Sequence, residues 1–380
     1  MKSGIFRGRR PAALIAAGAA GRRVLPGLIL MGAAIFGLAA PGASRAMPEA
    51  DERPALRVEH PERAALQAIA RAGSRVVAVG ERGLILWSDD AGRSWRQAQV
   101  PVSVTLTAVT FPTPQEGWAV GHFGTVLHTR DGGQTWERQL DGRTAAQRML
   151  DAALALDAAS EGAARHLAAA RRMVADGPDK PFLDVYFSDA RHGLVVGAYN
   201  LILRTVDGGR SWHSLAAQVE NPMALHLYAI QSTSEGLYLA GEQGLVLLSR
   251  DGGAHFRQVT TPYQGSYFTL RASPRGDLVV AGLRGRAFRR PAGGERWEPV
   301  PVPEHASVIA SALDDHGRLL LATQSGQVYA STDMGRSLSA LDAVRLPQVT
   351  SLTLLPEGIL LATTLQGIVR KSAESLILRD

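Results

Sequence analysis

Cysteine is absent from all 380 residues. That removes disulfides, thiolate zinc sites, iron–sulfur clusters and a cysteine nucleophile at once. Other signatures of chemistry are missing too. None of the ten histidines forms an i,i+4 helical pair with an adjacent glutamate, so there is no zincin-type metal motif. No G-x-S-x-G elbow, P-loop or dinucleotide-binding fingerprint occurs, and no cofactor is expected. The first 46 residues lack any acid; setting aside their seven Lys and Arg leaves 34 basic residues against 35 acidic. The net charge of +6 therefore belongs to the leader. No Lys/Arg stripe interleaved with aromatics appears after it, so no nucleic-acid partner is expected. What is present is a chain that is 46% hydrophobic and 20% charged, enough to bury a core.

Residues 1–46 have the parts of an export signal: basic residues ending at Arg22-Arg23, an apolar stretch over 24–40, and small Ser44 and Ala46 before a cleavage point near Met47. The apolar stretch, interrupted by Pro26 and Gly27, is short for a ~30 Å hydrocarbon core. The expectation is an exported, periplasmic protein, membrane-anchored only if the leader stays attached. Residues 61–380 form the body of the chain, and 47–60 read as a linker to it or as its closing strand; the last outer strand would come from residues 53–60 or from Ser375 to Arg379.

That body is one unit written seven times. Ser88-x-Asp90-x-Gly92-x-x-Trp95 returns as Thr129-x-Asp131-x-Gly133-x-x-Trp136 and Thr205-x-Asp207-x-Gly209-x-x-Trp212. It continues as Ser249-x-Asp251-x-Gly253-x-x-Phe256 and Ser331-x-Asp333-x-Gly335-x-x-Leu338. A worn copy ends at Trp297, with Ala292 in place of the acid, and another over 372–376 has lost nearly everything. The period is about 41 residues once a long gap after the second copy is set aside, the spacing of propeller blades. Short apolar runs flank a G-x-x-G turn at Gly80/Gly83, Gly121/Gly124, Gly241/Gly244 and Gly282/Gly285, with Gly197 paired to Asn200, and units six and seven keep the second glycine, Gly326 and Gly367. The fold expected is all-β: a seven-bladed β-propeller of four-stranded blades. In the box, the carboxylate and the hydroxyl serve a tight turn, and the aromatic packs between sheets.

These boxes and G-x-x-G turns resemble the Asp-box (BNR-repeat) propellers, a superfamily that contains sialidases and other glycoside hydrolases. Within it, the chain is similar to the photosystem II stability/assembly factor-like proteins over residues 60–380. The resemblance implies a non-enzymatic, chaperone-like scaffold for a newly made membrane protein at the periplasmic or lumenal side. The client would be a membrane protein or envelope complex, a transporter among the options, and a monomer is expected. The alternative is a sialidase-like glycoside hydrolase. Against it, the mature chain has no Phe-Arg-Ile-Pro element, and no arginine triad or acid–base pair can be assembled.

The long gap breaks the strand pattern. Thr144 to Gln147 reads as a capping box, followed by a helix to about Ala159 with Met149, Leu150, Ala153, Leu154 and Leu156 on its apolar face. Ser160 reads as the cap of a second helix to about Ala175. This helical insertion over 143–176 joins two blades, which puts it on the face of the G-x-x-G turns, placed to cover part of the channel mouth as a docking element. The candidate protein-binding face comprises Arg82, His122, Phe123, Tyr199 and Arg284 from the turns, with Arg171 and Arg172 from the insertion.

Overall fold

The computed structural model describes residues 49–372, so the leader, its cleavage point and the candidate closing strand over 375–379 lie outside it. Seven sheets succeed one another along the chain, six of four strands and one of three among the described residues. Each is an antiparallel meander in chain order, from Leu66–Ala72 in blade one to Gly367–Lys371 in blade seven. The second strand of each blade is buried on both faces, as in Arg75–Gly80 and Leu319–Thr323, because another sheet packs against each side. This explains their continuous apolar runs.

The ring closes through packing. Seven apolar clusters fill the seven spaces between successive blades. The last joins Leu66, Ile69 and Val76 of blade one to Leu355 and Leu361 of blade seven. First strands touch in sequence around the ring, and the last, Val349–Leu354, returns to the first. Side chains stitch them together: Thr107 Oγ1 donates to Phe182 O at 2.7 Å and Thr350 Oγ1 to Leu66 O at 2.7 Å. Residues 53–60, read from sequence as a closing strand, form none. Instead Ala55 N donates to Val100 O and Val58 N to the Gln97 side chain, laying this segment along blade one.

The box forms one local network in five blades. Asp90 Oδ1 accepts from Ser88 Oγ and from the amides of Arg93 and Ser94, at 2.8 to 2.9 Å, while Gly92 N donates to Ser88 Oγ. Asp131, Asp207, Asp251 and Asp333 repeat this pattern. Bonds from the Ser211 hydroxyl and amide hold Asp207 down at about 2. Each carboxylate is thus consumed by its own turn. Trp136, Trp212 and Phe256 are buried, whereas Trp95 and Trp297 are half-buried.

The insertion is a pair of helices, α1 (Gly142–Leu154) and α2 (Ala163–Asp176). Asp141, rather than Thr144, caps α1 by accepting from Thr144 N at 2.8 Å, so no Thr144–Gln147 box forms. The first helix stops five residues short of Ala159, since the Asp157 carboxylate accepts from Ala159 N and sets up a turn. Ser160 donates its hydroxyl to Asp157 O and caps nothing; Gly162 precedes α2. Leu154, read as core-facing, is 59% exposed.

Candidate protein-binding face

The G-x-x-G turns all lie at the ends of second strands, on one side of the ring. In five of them the third residue is left-handed: Arg82, Phe123, Tyr199, Gln243 and Arg284 have φ of 51 to 58°. The next residue must be glycine in blade one, because a Cβ on Gly83 would lie 2.0 Å from Val102 O. The conformation thrusts the preceding side chain outward. Arg82, His122, Tyr199 and Arg284 are exposed. Phe123 is different: its ring packs into the cluster between blades one and two, and its carbonyl accepts from Gly142 N at the root of α1. It is a packing residue more than a contact.

Arg171 and Arg172 are exposed on α2. The hairpin does sit on the turn side, but not over the channel. Its α1 packs on the outermost strand of blade three, His213–Ser214, away from the first strands that line the channel. Ala145, Met149, Ala170 and Met173 join Leu201, Leu203 and Trp212 in one cluster, so the hairpin is part of the core between blades two and three. Arg82, Arg171, Arg172 and Arg284 have no side-chain partner among the described residues.

Sequence reading missed the mouth of the channel. In every blade the first strand begins with a one-residue bulge, at Gln67, Thr107, Leu183, Tyr228, Phe268, Ile309 and Thr350. The bulge turns these half-buried residues toward the mouth. There Tyr199, His226, Tyr228 and Phe268 form a chain of edge-to-face contacts, at 4.6, 6.3 and 5.6 Å between successive rings. Lys180 lies 6.0 Å from the Tyr199 ring. Glu242 accepts from His226 N at 2.9 Å and from Tyr228 OH at 3.3 Å, and burial with this carboxylate pushes the Tyr228 hydroxyl up to about 12. The signal was available: each bulged residue comes directly after the buried apolar residue that opens its strand.

Deeper, Asp184 is the sole carboxyl on any first strand among the described residues. Burial raises it to about 6, although it accepts from Ile230 N at 2.7 Å and from Val185 N. Arg271, also on a first strand, gives its Nη2 to Ser311 O at 2.8 Å. No second acid stands with Asp184 on these strands, and no group of three His, Asp or Glu among the described residues could hold a metal.

Comparison with known proteins agrees with this architecture. A family model described as photosynthesis system II assembly factor YCF48 matches residues 93–155 and 169–266. Over these residues the chain is similar to the photosystem II assembly factor-like family of Asp-box propellers. It is 26% identical over 158 residues to the photosystem II assembly lipoprotein Ycf48 of Synechococcus sp. (strain CC9902), covering 41% of this chain and 47% of that one. It is 28% identical over 218 residues to the Ycf48 protein of Synechococcus sp. (strain JA-2-3B'a(2-13)), covering 53% and 61%. The chain thus spans roughly half of the curated relatives it matches. Among solved structures, "YCF48 bound to D1 peptide" superposes with a TM-score of 0.59 at 17% identity, over 86% of this chain and all of that one. A Niastella koreensis GH74 enzyme superposes with 0.57 at 13% identity, over 81% of this chain and 52% of that one. At such identities both share the fold and no more.

Proposed function

We propose that this chain is a member of that family and a non-catalytic scaffold of the cell envelope, which binds a segment of a membrane protein during assembly. One observation carries the reading. Arg82 and Arg284 at the turn tips and Arg171 and Arg172 on the hairpin are exposed and have no side-chain partner among the described residues. The turn side also holds an aromatic mouth, while the box acids on the other side are spent on their own turns. Exposed guanidinium and aromatic groups together suit protein recognition. The solved relative named as bound to a D1 peptide supports a membrane-protein segment as the kind of partner. Two matched relatives are named lipoproteins; this chain has no cysteine, so no thioether-linked lipid can be attached within these 380 residues.

Deleting the hairpin would test its docking role poorly, because Trp212 and Leu203 would lose their cover. Charge reversal at Arg171→Glu and Arg172→Glu, alone and with Arg82→Glu and Arg284→Glu, leaves the core intact. Affinity purification from an envelope fraction should recover a membrane protein with the wild type and markedly less with the reversed chains. Equal recovery throughout would remove this face from the reading. Hydrolysis in a broad glycoside screen, abolished by Asp184→Asn, would replace it with the enzyme alternative.

A further inference from the structure

Three positions recur side by side in the blades: a residue at the entry to the second strand, the residue before the box hydroxyl, and the cross-strand partner of the latter on the fourth strand. In most blades the outer two suit the central one. Blade one stacks Arg75 and Arg96 on Trp87, at 4.1 and 4.9 Å from the ring centre. Blade two sets His128 between Glu116 and Glu137. Blade five sets Arg289 between Asp277 and Glu298, at 3.5 and 3.3 Å. In blades four and six the central residue is apolar, Leu248 and Ala330, and needs no counter-charge.

Blade three breaks this matching. Its central residue is Arg204, and the two positions that hold acids in blades two and five are His192 and His213. Arg204 is half-buried and has no hydrogen bond or ion pair from its side chain among the described residues. A guanidinium always carries its charge, so partial burial without an acceptor leaves a deficit that a bound anion would fill.

The space for one is present. Arg204 lines a cleft of about 240 Å³ between blades three and four, compact beside most small-molecule sites. Among the described residues no carboxylate lines it. The acids nearest in sequence to its walls, Asp189 and Asp251, are taken up by their own turns. Asp189 accepts from the amides of Arg191 and His192 and from His192 Nδ1, at 2.7 to 2.9 Å. Asp251 accepts from Ser249 Oγ and from the amides of Ala254 and His255, at 2.7 to 3.0 Å. The hydroxyls of Tyr186 and Ser232 line the cleft without hydrogen-bond partners among the described residues, beside the apolar Leu194 and Leu237. One permanent cation next to an apolar wall suits a monoanion with an apolar body, and a planar carboxylate matches the two-pronged guanidinium.

We propose that this cleft binds a small organic acid, its carboxylate held by Arg204 and its apolar body against Leu194 and Leu237. The probe is benzoate, titrated against the mature chain by saturation-transfer NMR, with benzamide as its neutral analogue. Benzoate should bind saturably and benzamide at least about tenfold more weakly. Arg204→Gln should abolish the preference for the acid. His213→Glu gives blade three the acid that blades two and five carry at this position, so it should pair with Arg204 and weaken benzoate by about tenfold, with the thermal midpoint retained. His213→Gln, which adds no charge, should keep most of the affinity. No saturable benzoate binding, equal binding of benzamide, or an affinity unchanged in His213→Glu overturns the site. His213 is exposed, so its variants decide even if Arg204→Gln fails to fold.

Discussion

Arg290 takes the place of the box hydroxyl in blade five and ties that blade to Glu235 of blade four. Its Nη2 lies 2.9 Å from Glu235 Oε2 and 3.1 Å from Oε1, and its Nη1 donates to Tyr238 OH at 2.8 Å. A turn that has lost both hydroxyl and acid is thus held from the next blade. Arg290→Ala removes the guanidinium from Glu235 and Tyr238, which still bond each other while Arg250 keeps its hold on Glu235, and should cost about 1–2 kcal/mol in urea denaturation. Unfolding at the wild-type midpoint would mean that the tether contributes nothing.

The intact boxes are local devices, and their loss should be felt locally. In Asp131→Ala, the amides of Gln134 and Thr135 and the Thr129 hydroxyl lose their acceptor. Gln134 and Thr135 are exposed whereas Thr129 is buried, so the expected destabilisation is about 1–2 kcal/mol, with envelope-protein recovery unchanged. Loss of recovery without a stability change would give these acids a direct part in binding.

The left-handed turn tips predict a trade between stability and recognition. A non-glycine residue at φ near +55° is strained, and glycine relieves that strain against its own chain-entropy cost. Tyr199→Gly and Arg284→Gly should therefore be neutral or more stable by up to about 1 kcal/mol. Both should recover less partner. A glycine variant with full recovery would show that the tip side chain does not touch the client.

Asp184 makes the channel pH-sensitive in a defined direction. Burial raises its carboxyl from the ordinary 3.8 to about 6, so the folded chain binds that proton more tightly than the unfolded one. Stability from this group should rise as pH falls from about 7 toward 4, and level off below the unfolded value. The box acids act oppositely at lower pH: Asp207, held at about 2, stabilises above 4 and loses that contribution as pH falls through 2. Thermal midpoints from pH 7.5 to 4.5 should show the rise, and Asp184→Asn should flatten it. A slope identical in the variant would assign it to other groups.

The repeat alone determined the architecture. Box, glycine turn and apolar run recur at a constant period because each does its work within a few residues, so local sequence specifies a blade and its count specifies the ring. The exposure of Arg82, Tyr199 and Arg284 was legible for a similar reason, since a left-handed position at a strand end turns its side chain outward unless a neighbouring segment covers it, as happens at Phe123. The tertiary structure decided everything that depends on neighbours. Phe123 left the binding face because the root of α1 holds it, and the hairpin moved off the channel because Met149 and Met173 found an apolar wall on blade three. Tyr228, Phe268 and Asp184 meet the channel only because first strands converge at its axis. Arg289 and Arg290 are adjacent in the chain yet serve opposite neighbours, since successive side chains of a strand point to opposite faces and each face here meets a different blade.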